Sequence, residues 1–328
     1  MRHVRPPRPN AGFAWVDGTI LPAARASVPV FDRGFLYGEA FFETLLVRDG
    51  RPLLWRPHLK RLHASLAHFA IPRPEHDLGS AAADLLAACR LRDAALRITV
   101  TRGTGEGLAA PEGTRPTVVM TLRPLPPGLD ENRVRGITAV RLAFGQGLAR
   151  PAAGHKNVDY LAAIAGRRAA VCDGASDAIF VEADGRVSEA TTSNLFMVRR
   201  GRLATPPDAA GCLPGVTRDV VLVLARRAGL DVREAPIAAA ALDRADEILL
   251  TSSIAEVVPV VVLDGRPVGS GRPGPVALRL QELYRAFLAR SLTATTTRGR
   301  RRPSTTGPHP PSRRGAWRSQ ARLARGRP

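Results

Sequence analysis

The apolar stretches on either side of Val16-Asp17-Gly18-Thr19, between Phe13 and Val28, predict a short hairpin with Asp17-Gly18 as its turn dipeptide. A second strand pair spans Ala40 to Leu54 with Asp49-Gly50 at its turn. The period then changes. Leu59, Leu62, Leu66 and Phe69 recur at three- and four-residue steps and predict a helix over His58 to Phe69, followed by an alanine- and leucine-rich helix over Gly79 to Leu91. Strands return at Ala95 to Thr101 and Thr117 to Leu122, and Pro124-Leu-Pro-Pro-Gly128 breaks the pattern. Beyond it the chain predicts a strand near Ile137 to Ala143, a Gly/Pro-containing loop and a helix over Asn157 to Val171. A hairpin turns at Asp184-Gly185, and a strand covers Asn194 to Val198. The run Leu213-Pro-Gly-Val-Thr-Arg218 then leads into a helix ending at Leu230, strands follow at Glu247 to Thr251 and Val258 to Leu263, and a last helix runs near Pro275 to Ala289. Helices mixed with many hairpins indicate an α+β fold rather than a doubly wound parallel sheet.

These breaks divide the 328 residues into a flexible N-terminus (1–12), a smaller α/β domain (13–123), an interdomain linker (124–133), a larger domain (134–290) and a disordered arginine-rich tail (291–328). The formal charge of +19 first suggests a nucleic-acid partner. It is unevenly spread, however: the tail alone holds ten arginines and no acidic residue, and its single aromatic, Trp317, offers no stacking series. Nucleic acid is therefore expected only as a non-specific partner of that tail. No run of eighteen apolar residues exists and the first residues lack a signal-peptide core, so no membrane association and a cytoplasmic location are expected. Cys89, Cys172 and Cys212 have no C-x-x-C spacing and lie among apolar residues, which predicts buried free thiols and no metal site.

Of the 48 lysines and arginines only Lys60 and Lys156 are lysines. An arginine does not lose its proton near neutral pH, whereas a desolvated lysine can attack a carbonyl, so each surviving lysine is a candidate for Schiff-base chemistry. Three features of the second half suit an anionic aromatic cofactor. Gly215-Val216-Thr217 opens a helix with free backbone N–H groups and a hydroxyl. Glu189 ends a hairpin strand, where a carboxylate can pair with a protonated ring nitrogen, and Thr251-Ser252-Ser253 supplies hydroxyls after an apolar strand. Taken singly, each also fits a plain cap, surface carboxylate or turn.

In this order they resemble the class IV, fold type IV, pyridoxal-phosphate enzymes: branched-chain aminotransferases, D-amino-acid aminotransferases and aminodeoxychorismate lyases. The resemblance covers about residues 13 to 290 and includes Asp32-Arg-Gly-Phe-Leu-Tyr-Gly38, Phe42-Glu43-Thr44, His58-Leu-Lys-Arg-Leu62, Thr101-Arg-Gly103, His155-Lys156 with Tyr160, Ser188-Glu189, Ser193-Asn194-Leu-Phe196, Leu213 to Arg218, and Ser253 with Glu256. It implies a two-domain enzyme whose larger domain, rich in hairpins, binds pyridoxal 5'-phosphate. It also implies that Lys156 is catalytic and carries the cofactor as a Schiff base, and that Arg61, Val216, Thr217 and Ser253 seat the phosphate. Glu189 then meets the ring nitrogen, Tyr160 the phenolic oxygen, Leu213 packs on the ring and Asn194 completes the contacts. Tyr37, Phe42 and Arg102 fall at substrate positions, Lys60 is expected to be solvated, and a homodimer is implied.

The subfamily signals diverge. The anionic-substrate ligands of D-amino-acid aminotransferases are replaced by Phe42, Gly107 and Ala109. The Lys156 to Tyr160 spacing is that of the lyases, whose usual asparagine is Asp159 here, whereas residues 213–263 read like the transaminases. The expected activity is amino-group transfer between an amino acid and a 2-oxo acid. The alternatives are an aminodeoxychorismate lyase releasing pyruvate and 4-aminobenzoate, and a non-enzymatic arginine-rich binding protein.

Overall fold

A computed structural model describes residues 12–109, 112–143 and 152–298. The first sheet begins with the hairpin β1 (Phe13–Val16) and β2 (Thr19–Pro22), and α1 (Arg33–Tyr37) follows. Next come β3 (Ala40–Arg48), β4 (Arg51–Pro52), α2 (Trp55–His68), α3 (Leu78–Cys89), β5 (Ala94–Thr101) and β6 (Val118–Arg123). The six strands are antiparallel in the order β2-β1-β6-β5-β3-β4. Both expected Asp-Gly turns form, with positive φ at Asp17, Gly18, Asp49 and Gly50, as a twist-matched two-residue hairpin loop requires.

β3 is buried on both faces, which explains why Ala40-Phe-Phe-Glu-Thr-Leu-Leu-Val47 is nearly continuous in apolar residues rather than alternating. Strand periodicity sends Phe41, Leu45 and Val47 into the core under α2 and α3, while Leu46 joins the helical core of the second half. The strand is thus a shared wall between the two sheets.

The linker expected over 124–133 is partly helical: α4 spans Leu129–Arg135. Asp130 and Glu131 in its first turn and Arg133 and Arg135 in its last complement the helix dipole, and Arg133 is buried against the second sheet. That sheet comprises β7 (Ile137–Ala143), β8 (Asp177–Val181), β9 (Arg186–Ala190), β10 (Asn194–Arg199), β11 (Arg202–Thr205), β12 (Asp231–Glu234), β13 (Ile237–Ala238), β14 (Glu247–Ser252), β15 (Glu256–Leu263) and β16 (Arg266–Pro267). Helices α5 (Leu161–Cys172), α6 (Val216–Arg227) and α7 (Pro275–Arg298) accompany it. The order is β12-β11-β10-β14-β15-β7-β8-β9-β13, and a further pairing of β10 with β9 closes six strands into a ring. That closure is the pair Asn194↔Glu189. Leu195, Met197, Ile248 and Leu250 point into the ring, whereas Phe196, Val198 and Leu249 face α6 and α7.

Three local expectations are corrected. The helix expected from Asn157 begins only at Leu161, because the chain beside Lys156 is pinned to β3: Phe42 N–H donates to Lys156 O (2.9 Å) and Val158 N–H to Ala40 O (3.2 Å). The last helix continues to Arg298, so 291–298 are not a disordered tail. The Leu292 carbonyl there accepts from Arg51 (3.0 Å), and Leu292 packs on the α6/α7 core. Cys172 is exposed rather than buried, since α5 turns Gly166 and Ala170 to the sheet and Leu161, Ile164, Val171 and Cys172 outward. The expectations for residues 1–11 and 299–328 lie outside the described residues. No helix among the described residues is long and apolar enough to cross a membrane.

Candidate active site

The sheets and helices enclose a cleft of about 1280 Å³ lined by Lys156, Tyr160, Glu189, Asn194, Arg61 and Ser253. Leu213, Val216 and Thr217 line it too, so nine of the expected site residues share one space. The pairing of 156–158 with β3 aims Lys156 across the face of Phe42, with Nζ 4.7 Å from the ring centroid. Burial and the neighbouring Arg61 lower its pKa to about 8, against the opposing pull of Glu43 and Glu189. A sizeable fraction of the free amine therefore exists near neutral pH.

Glu189 is fixed where the ring of strands closes. Its Oε2 accepts from Leu213 N–H (3.1 Å) and from Asn194 Nδ2 (3.3 Å), and Asn194 also donates to Leu213 O (2.8 Å). Asn194 thus braces Glu189 and the 213–215 turn together. A Cβ at Gly215 would overlap Asn194 Oδ1, so only glycine lets the α6 N-terminus come this close. Val216 and Thr217 occupy the first turn of α6, where N–H groups lack intrahelical partners. The Thr217 hydroxyl meets Tyr284 Oη of α7 at 3.4 Å.

Arg61 reaches this end of the cleft from α2. Its Nε and Nη2 grip Glu43 (2.8 and 2.7 Å) and its Nη1 donates to Pro214 O (2.7 Å), which leaves two of its five N–H groups for an anion at the α6 N-terminus. Glu43, buried on β3, also binds His58 Nδ1 (2.6 Å), and His58 Nε2 faces Ser253 Oγ (3.3 Å). Burial alone would raise the Glu43 pKa, but the Arg61 and His58 contacts outweigh it and hold the carboxyl at about 2. The 252–255 turn that carries Ser253 is clamped by Arg133, which donates to Ala255 O and Ile254 O (both 3.0 Å).

Tyr160, whose pKa is raised by burial, stands 5.5 Å from Phe42, and the Arg97 guanidinium lies 3.5 Å over the same ring. Phe42 itself is covered by these neighbours. None of the three expected substrate residues lines the cleft. Arg102 is consumed by Glu39 and by the carbonyls of Phe69 (2.6 Å) and Ala70 (3.0 Å), and the Tyr37 hydroxyl accepts from Gly107 N–H (2.9 Å) at the surface. Lys60 is exposed on the far side of α2. Asp159 caps α5, accepting from Leu161 N–H (3.2 Å). Sequence reasoning missed Glu43 and His58 as working residues, although His58 and Arg61 are three apart on one helix face. It also missed Arg97 and Arg123, which line the cleft together with Thr251 of the expected hydroxyl run.

A lysine of lowered pKa, a braced carboxylate, a helix N-terminus and an arginine in one cleft define an amine-handling site for an anionic ligand. The comparisons make this specific: residues 40–263 match the family Amino-transferase class IV, and the chain belongs to it. A Methanocaldococcus jannaschii protein provisionally named a branched-chain-amino-acid aminotransferase is 34% identical over 83% of this chain and 94% of its own. D-alanine aminotransferase of Bacillus licheniformis is 30% identical over 81% and 93%. The solved structure of Escherichia coli branched-chain amino acid aminotransferase superposes with a TM-score of 0.78 at 29% identity, covering 86% of this chain and 95% of that one. The chain is an aminotransferase of the fold type IV architecture.

Amine labelling of Lys156, followed by mass spectrometry against pH, is expected to rise with a midpoint near 8. The midpoint should move down in Glu189→Gln, because that carboxylate favours the charged amine. Glu43→Gln leaves the Arg61 guanidinium without its counter-charge and is expected to cost about 3 kcal/mol in urea denaturation. With the folded pKa near 2 and the ordinary value at 4.5, the stability from Glu43 is complete above that ordinary value. It is lost as pH falls through about 2, and the variant should lack this acid-sensitive phase.

Proposed function

We propose that the cleft binds pyridoxal 5'-phosphate through Lys156 and transfers an amino group between an amino acid and a 2-oxo acid. The observation that carries this reading is the gathering of charge in one cleft, lined by the Lys156 amine, Tyr160, Glu189, Arg61 and the N-terminus of α6. The residues fit that group. Thr251 Oγ1, buried in the cleft wall, has no hydrogen-bond partner among the described residues, and Gly215 lets Asn194 pack directly against the start of α6. Arg61, Val216, Thr217 and Ser253 would hold the phosphate, Glu189 the ring nitrogen and Tyr160 the phenolic oxygen, with Leu213 against the ring. When bound, the cofactor supplies an electron sink for the substrate Cα–H bond.

The chain's own residues do the rest. Lys156, with its lowered pKa, serves as the amine that holds the cofactor and as the base that moves the Cα proton. Glu189, held by Asn194 and Leu213, keeps a negative charge at one fixed place. Arg97 and Arg123 line the cleft without a carboxylate partner among the described residues and repel one another, which suits the carboxylate of an incoming substrate. Transamination is favoured over the lyase alternative because the matched relatives carry aminotransferase names.

The exposed apolar side chains Val30, Phe31, Phe35, Leu36 and Leu108 support a homodimer. They form one face because Arg33 ties Gly107 O (2.6 Å) and Leu108 O (3.3 Å) to α1.

Purified protein is expected to show a visible absorbance band abolished by borohydride and absent from Lys156→Ala. Given aminodeoxychorismate without a 2-oxo acid, it should release no 4-aminobenzoate, whereas an amino donor with 2-oxoglutarate or pyruvate should turn over. Release of pyruvate and 4-aminobenzoate would sink the transaminase reading. Sedimentation should give twice the chain mass for the native protein and a shift toward monomer for Phe35→Asp.

A further inference from the structure

The hydrogen atoms around Ser253 do not balance once an anion is seated there. Arg61 grips Glu43 through two nitrogens and keeps it a carboxylate, so the nitrogen facing it, His58 Nδ1, carries a hydrogen and donates it (2.6 Å). In the neutral ring Nε2 is then an acceptor, and the 3.3 Å contact to Ser253 Oγ is a bond donated by the serine. A hydroxyl has one hydrogen. If Ser253 also serves a phosphate oxygen, which can only accept, that hydrogen is needed on the opposite side, and Nε2 is left facing an oxygen with nothing between them.

We propose that His58 is the proton-accepting positioning residue of the phosphate seat: when a phosphate dianion settles on Ser253, one proton from solvent is taken up at His58 Nε2, which then donates to Ser253 Oγ. This rests on the cofactor reading above. The atoms balance by relay through the hydroxyl that reaches the cleft. Ser253 passes its hydrogen to Nε2 and receives another from the solvent side, or from the phosphate monoanion as it enters, and aims that one at the phosphate. The end state is a chain of Glu43 carboxylate, His58 imidazolium, Ser253 hydroxyl and phosphate in which every polar atom has a partner.

The charges agree with this order of events. From β3, Glu43 favours the imidazolium. Burial opposes it most strongly, Arg61 on the same helix and Lys156 across the cleft add to that, and together these hold the ring below the ordinary histidine range. From α7, Tyr284 borders a small cavity beside His58 and Ser253 with Leu46, Leu53, Leu54 and Leu288, and its hydroxyl, pushed up to about 12 by burial, stays uncharged. The bond and charge of Glu43 are the forces for the second proton, and burial, Arg61 and Lys156 together outweigh them. An arriving dianion reverses that balance and makes the second proton favourable. His58 is almost completely buried, so Ser253 is its route to the cleft among the contacts described.

The test uses the full-length protein freed of cofactor and titrated with pyridoxamine 5'-phosphate, which carries the phosphate and no aldehyde. With ring-¹⁵N-labelled histidine, His58 Nε2 is expected to move from an acceptor-type to a protonated shift on binding at pH 8, and to stay acceptor-type in Ser253→Ala. In parallel, the affinity of the native protein should weaken relative to His58→Gln by about tenfold per pH unit on the alkaline side. The glutamine offers a fixed N–H to Ser253 and does not titrate. Binding with an unchanged Nε2 signal, or with the same pH slope in both proteins, overturns the proposal while leaving the cofactor reading intact. No binding of the probe removes both. The labelling experiment needs only native protein, so a folding defect in His58→Gln does not blunt the test.

Discussion

The buried contact between Glu43 and Arg61 is the constraint on which the site depends. It joins three separate pieces of chain: β3, which carries the carboxylate, α2, which carries the guanidinium, and the turn before α6, whose Pro214 carbonyl takes the third Arg61 bond. An arginine without that carboxylate would be an expensive charge to bury. With it, a cation stands at the N-terminus of α6, where the helix dipole and the free N–H groups of Val216 and Thr217 already favour an anion. The same carboxylate orients His58, so one side chain organises both the arginine and the Ser253 edge of the cleft.

The second constraint is closure of the strand ring. β9 and β10 meet in a single pair, Asn194↔Glu189, and the side chains of that pair continue the join: Asn194 bonds Glu189 and Leu213, and Glu189 takes the Leu213 N–H. A carboxylate at such a junction cannot swing with a loop. Lys156 is fixed by another route, through the bonds of 156–158 to β3, so its amine crosses the Phe42 ring at a set height. Burial and Arg61 keep it near its titration point, which an arginine at this position could not reproduce.

Where sequence and structure part, tertiary contacts outweigh local pattern. Asn157 to Tyr160 precede an alanine-rich run and read as helix, yet β3 captures them as an extended segment. Residues 291–298 look like the start of a polar tail, but the apolar anchorage of Leu292 and Phe287 on the α6/α7 core carries the helix through them. Leu129 to Arg133 read as linker because Pro-Pro-Gly precedes them, and the burial of Arg133 against the 254–255 carbonyls makes them part of a helix that runs to Arg135. Arg102 and Tyr37 match motif positions but are held by Glu39, by the Phe69 and Ala70 carbonyls and by Gly107, away from the cleft within this chain.

The sequence by itself determined the local facts: the Asp-Gly hairpins, the two helices of the first half, the glycine-led start of α6 and the singular lysine. Each depends on a backbone preference or a side-chain chemistry that travels with the residue. It did not show that Glu43 and His58 stand behind Arg61 and Ser253, that Arg97 and Arg123 line the same cleft, or that Asn194 joins a strand ring to Glu189. Those facts are distances between residues far apart in the chain, with the Arg61–Pro214 bond spanning 153 positions and the Ser253–His58 contact 195. Only packing of the two sheets against β3 brings them together, because a carboxylate buried on that strand must find its partners on the elements packed over it, as Glu43 does in His58 and Arg61 of α2.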